Sequence, residues 1–113
     1  MGIKTLSVES IVERIITLNH AWKVARDDFG ASNKITLALR QQKSSWQATL
    51  LREHPNLCFL RRDEENTDGE QLLSVRLSKP ILINGTMRND AEHLPERIAQ
   101  VLFHKQELLT LIN

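Results

Sequence analysis

The stretch "KITLALRQQKSSWQATLLREHP" (residues 34–55) decides the fold. Ile35, Leu39, Gln42, Trp46 and Leu50 recur at helical spacing, which places them roughly on one face. The run reads either as one long helix or as two helices broken near "KSS". In the second case Ser44 or Ser45 caps the later helix. The fragment "ITLAL" also alternates as a strand would. Asn33 or Ser32 is the candidate cap at the start. Pro55 ends the element, because its ring and missing N–H cannot continue a helix.

Upstream, Val8, Ile11, Ile15, Leu18, Trp22, Ala25 and Phe29 keep a 3–4 spacing for three heptads, and Val12 and Ile16 widen the stripe. Ser7 suits the N-cap and Gly30 the position just past the end. Such a helix is about 33 Å long at about 1.5 Å per residue. It packs on its own domain or forms a seam with a second chain. Trp22 and Trp46 both sit on apolar stripes, so both are expected to be largely buried.

Downstream, "LCFLRR" (57–62) and "QLLSVRLS" (71–78) read as two strands. Leu73, Val75 and Leu77 share one face of the second. The polar tip "DEENTDGE" between them makes a hairpin with a long turn. A short strand at 81–83 is expected before the turn signal Asn84-Gly85. The C-terminus reads as helix again. Pro95 suits its first turn, and Leu94, Ile98, Val101 and Leu102 share a face.

Composition bounds the function. The 113 residues make one domain, 1–113, with 41% hydrophobic and 26% charged residues, as in globular proteins. No run reaches the length of a membrane span, and the opening residues lack the apolar region of a secretory signal, so the expectation is a cytoplasmic protein without membrane contact. The single cysteine, Cys58, lies in an apolar run and reads as a buried, inert thiol. Net charge is +1, so any nucleic-acid contact must rest on local charge. Tyrosine is absent, and the three Phe and two Trp supply few stacking platforms for single strands.

The order helix, short helix, turn, helix, hairpin over residues 8–78 resembles a winged helix-turn-helix. The carrying residues are "KITLALRQQK", "SSWQATLLREHPNL" and "CFLRRDEENTDGEQLLSVRL". The resemblance implies a recognition helix at 45–54. Gln47, Thr49 and Arg52 would then face a major groove, and Lys43, Ser44, Arg61, Arg62 and Arg76 would contact phosphate. Their alternative is a solvated face. The acids Asp63, Glu64, Glu65, Asp68 and Glu70 stand against a working wing, since they would repel phosphate. They could instead hold a protein partner.

Catalytic and cofactor signals are sparse. The four glycines form no phosphate loop, and the four histidines lack metal-ligand spacing, so neither cofactor nor metal is expected. In "NDAEHLPER" (89–97), His93 stands beside Asp90, Glu92, Glu96 and Arg97 near an expected helix start. That set could serve a general base, but a helix entry with surface charges explains it more simply. The expectation is a mostly helical α+β domain: a long N-terminal helix, a winged-helix-like core with its hairpin, and C-terminal helices. Its expected function is non-enzymatic and regulatory, binding duplex DNA as a homodimer. The alternative is a protein-interaction or assembly module without nucleic-acid binding.

Overall fold

Ser7 and Gly30 bracket the first helix as their chemistry requires. In the computed structural model, which describes residues 6–63 and 70–112, α1 runs Val8–Phe29. The Ser7 hydroxyl accepts from the Ser10 N–H at 3.1 Å, and Gly30 leaves the helix at φ 94°. Asn33 caps α2 (Lys34–Glu53) by accepting from the Ile35 N–H at 2.9 Å.

α2 is unbroken. The Ser44 hydroxyl, which could have capped a new helix, turns back on its own helix, as the Thr49 hydroxyl does one turn after Ser45. Ser44 Oγ donates to the Arg40 carbonyl and Thr49 Oγ1 to the Ser45 carbonyl, each at 3.0 Å. Back-bonding of this kind satisfies a hydroxyl inside a continuing helix. No Gly or Pro interrupts the run, so residues 45–54 do not begin a separate helix; 45–53 are the second half of α2. α1 and α2 therefore form a long helical hairpin joined by a short turn.

The strands form an antiparallel sheet in the order β1 (Cys58–Arg62), β2 (Leu72–Ile83), β3 (Thr86–Pro95). Cys58 pairs with Leu77, Leu60 with Val75 and Arg62 with Leu73. Cys58, Leu60, Leu73, Val75 and Leu77 are buried at period-two spacing on one face, and Ser74 between them is buried on the other. Asn84 (φ 49°) and Gly85 (φ 81°) join β2 to β3 with two consecutive positive φ angles, the signature of a two-residue type I′ turn. The turn joins two long strands, so the 81–83 segment is the end of β2 rather than a separate strand.

β3 itself is an addition to the sequence expectation, and it carries an irregularity. Ser74 pairs with His93 and Arg76 with Asp90, so β3 sets Ala91 and Glu92 opposite the lone Val75. This is a β-bulge, and Glu92 takes φ 66° to make it.

Pro95 is the last residue of β3 and the N-cap of α3 (Glu96–Leu102); α4 (Lys105–Leu111) follows. Ile112 bridges to Leu60 in parallel, covering the outer edge of β1. One apolar cluster joins the helical hairpin, the sheet and the C-terminal helices; Ile11, Ile15, Leu50, Leu51, Leu60, Leu73 and Leu94 are among its fully buried members. Trp22 and Trp46 depart from expectation. Both are only half-buried, each beneath cations: Arg14 lies 5.0 Å from the Trp46 ring centre and Arg26 4.8 Å from that of Trp22.

Candidate functional site

Most residues that would read or grip DNA face inward or are held by protein partners. Gln47 is completely buried, and its amide nitrogen donates to the Ala91 carbonyl at 2.8 Å and the His93 carbonyl at 3.1 Å. It clamps the β3 bulge from below. Ser44 is buried and bonded within its own helix. Lys43 is 5% exposed and donates to Asn19 Oδ1 at 3.1 Å. Thr49 is half-buried and back-bonded. The inward turn of Lys43, Ser44 and Gln47 has one cause: the unbroken α2 lays this face on α1 and the sheet.

The arginines divide. Arg52 reaches the C-terminal helices, with two nitrogens on the Glu107 carboxylate at 3.0 Å each and a further bond to the Leu102 carbonyl at 2.7 Å. Its guanidinium holds the Glu107 carboxyl below the usual range. Arg62 pairs with Glu96 at 2.8 Å. Arg61 is exposed and Arg76 half-exposed, on opposite strands of the β1–β2 hairpin.

Of the acidic tip, Glu64, Glu65 and Asp68 lie outside the described residues. Asp63 meets His93 Nε2 at 2.8 Å, and Glu70 takes Arg97 at 3.1 Å and Arg40 at 3.4 Å. These two acids tie the base of the hairpin to β3, α3 and α2. The "NDAEHLPER" cluster is likewise cross-linked. Asp90, Glu92 and His93 belong to β3, not to a helix entry, and Arg88 binds Asp90 at 2.8 Å and Glu92 at 3.1 Å. Each member has an ionic partner, and only Glu92 and His93 among them line a cavity beside Trp22. Among the described residues no group of His, Cys, Asp and Glu is placed to hold a metal ion, and no helix is long and apolar enough to cross a membrane.

What the sequence reading missed is a groove between α2 and α3. Leu37, Ile98, Val101 and Leu102 form its apolar part, in a cavity of about 270 Å³. Val101 is 82% exposed and Leu37 50% exposed. Arg40 and Arg97 stand along it, sharing Glu70 as their ionic partner, and none of the described residues that line it is a carboxylate. The signal was present in the spacing: Val101 is one turn from Arg97, and Leu37 is three residues before Arg40. Grouping Val101 with Leu94, Ile98 and Leu102 on one face concealed it. A short α3 buries Ala99 and half-buries Ile98 and Leu102, which leaves Val101 on the far side. A scan against protein-family models found no match, and searches of curated proteins and of solved structures found no similar chain.

Proposed function

We propose that this protein is a non-enzymatic interaction module that holds an acidic segment of a partner protein in the α2–α3 groove. The observation that carries the reading is the exposure of Val101 and Leu37 beside Arg40 and Arg97. Large apolar side chains in a groove gain from burial, and a rim of two arginines that share one carboxylate, Glu70, keeps a net positive charge that favours a partner whose apolar anchor is flanked by Asp or Glu. A second copy that paired groove to groove about a two-fold axis would set two arginine rims against each other.

Duplex DNA has weaker support. The candidate readers and phosphate contacts on α2 are buried or paired, and Arg61 and Arg76 alone give a small electrostatic footprint. The test is fluorescence anisotropy with three probes: a helical peptide with Leu anchors among Glu, one with Leu anchors among Lys, and a random duplex. The acidic peptide should bind, and Val101→Asp should weaken it at least about tenfold, or about 1.4 kcal/mol. Val101 is so exposed that the substitution should leave thermal stability nearly unchanged. Equal binding of both peptides, or binding of the duplex alone with a steep loss in salt, would overturn the proposal.

A further inference from the structure

A second cavity, of about 390 Å³, opens where α1, α2 and the ends of β2 and β3 meet. Trp22, Leu72 and Pro95 supply its apolar walls. Lys23, Arg26, Arg40 and Lys43 bring four cationic side chains to it, against two carboxylates, Glu70 and Glu92. Glu92 is engaged by Arg88 outside the cavity, and Glu70 by Arg97 outside it and by Arg40 within it, while Arg26 pairs with Asp27, which leaves Lys23 and Lys43 as the lining cations without a described ion pair.

Lys43 is left in an unusual position. Its ammonium has three N–H donors, yet among the described residues only Asn19 Oδ1 accepts from it. The Trp22 ring centre, 4.9 Å away, adds a cation–π contact. No described carboxylate lies within ion-pair distance of it, and the attraction of Glu92 offsets only part of the cost of its burial. Asn19 is buried too, and with its Oδ1 on Lys43, its Nδ2 donors have no described acceptor. A buried cation beside an open amide donor in a cationic pocket lacks one thing, a negatively charged acceptor.

We propose that this cavity binds a small oxyanion, a carboxylate or a phosphate carried on a flat apolar body, with Lys43 and Asn19 as its donors. The oxyanion takes the free N–H groups of Lys43 and Asn19, and the apolar body lies along Trp22, Leu72 and Pro95. Burial lowers Lys43 from 10.5 to about 8. An anion at the ammonium favours the charged form, so binding takes up a proton near that pH, and affinity falls as pH rises beyond it. The groups that face Lys43 are Lys23 and Arg26 on α1, Arg40 on α2, Glu92 and His93 on β3, and Glu70 before β2. This site is separate from the α2–α3 groove, although Arg40 borders both.

Trp22 provides the readout. In a Trp46→Phe background it is the only tryptophan, and its fluorescence can be titrated with benzoate, phenyl phosphate and inorganic phosphate. A saturable change with benzoate or phenyl phosphate is expected, and which of the two binds tighter identifies the oxyanion. Inorganic phosphate should bind at least about tenfold more weakly, having no apolar body. Lys43→Met should weaken the better ligand at least about tenfold. Asn19→Asp should do the same with the fold intact and the melting temperature raised, because the new carboxylate is an internal anion for Lys43. No response to any probe, an unchanged affinity in both variants, or equal affinity for phosphate and the ring-bearing anions would overturn the proposal.

Discussion

Gln47→Leu is expected to lower the stability of the fold by roughly 2–4 kcal/mol, through the loss of two hydrogen bonds, one buried and one part-buried. The side chain of Gln47 is fully buried and spans from α2 to the bulge of β3, where it donates to the carbonyls on either side of Glu92. Glu92 holds a positive φ of 66°, a conformation that costs a non-glycine residue on the order of 1 kcal/mol. The clamp keeps that strained segment against the helix. Leucine fills the space but donates nothing, so Ala91 and His93 lose their acceptor bonds. One offset exists: the Gln47 Oε1 is buried without a partner, and leucine removes it. Gln47→Glu should be worse, because its carboxylate would face two carbonyl oxygens and the variant could fold only with that carboxyl protonated. Urea denaturation measures both. A Gln47→Leu protein as stable as the parent would show that the residue is not structural and would restore it as a candidate surface reader.

This residue also shows where the sequence is readable and where it is not. The helix ends were legible because Ser7, Gly30 and Pro55 act through local backbone chemistry, whatever packs around them. Leu73, Val75 and Leu77 were legible because apolar residues alternate along β2, although Ser74 between them is buried too. The orientation of α2 was not. Its apolar residues Ile35, Leu39 and Trp46 suggest one buried face, but the buried residues of its first half are Thr36, Lys43 and Ser44, followed by Gln47. Ile35 is 54% exposed and Thr36 1% exposed. Hydrophobic period finds a buried face only when that face is apolar. Here a polar stripe packs on α1 and β3, and its two long members take partners distant in sequence: Asn19 for Lys43, the β3 bulge for Gln47.

β3 was illegible for a related reason. "TMRNDAEHLP" has no clean alternation and is rich in residues disfavoured in strands. It is held by pairing with β2, by the Arg88 bonds to Asp90 and Glu92, and by Gln47. The expectation of a DNA-reading face rested on the same polar stripe. Gln, Ser and Lys on a helix are ordinary groove contacts when exposed and ordinary tertiary clamps when buried, and their identity does not distinguish the two.

A rise in pH should act on the fold with two opposite signs, through Lys43 and Cys58. Lys43 has 10.5 as its ordinary value and about 8 in the fold, because burial disfavours its charge. Below about pH 8 both states carry the proton, and the fold bears the full cost of the buried ammonium. As pH rises toward about 10.5 that cost disappears, a gain of up to roughly 3 kcal/mol. Cys58 runs the other way. Burial pushes its thiol from 9.0 up to about 11. The neutral thiol contributes fully below about pH 9, and up to roughly 3 kcal/mol is lost as pH rises to about 11, because the unfolded chain ionises first. The parent should therefore gain stability between about pH 8 and 9 and change little from there to about 10.5, where the two effects offset. The variants separate them. Lys43→Met should exceed the parent in stability near pH 7, and the gap should close by about pH 10.5. Cys58→Ala should be less stable than the parent at neutral pH, because it leaves a small cavity, and its deficit should shrink between about pH 9 and 11. Urea midpoints across this range decide both. If the gap between Lys43→Met and the parent is independent of pH, the Lys43 ammonium is solvated, and the cavity beside Trp22 has no uncompensated charge for an anion to complete.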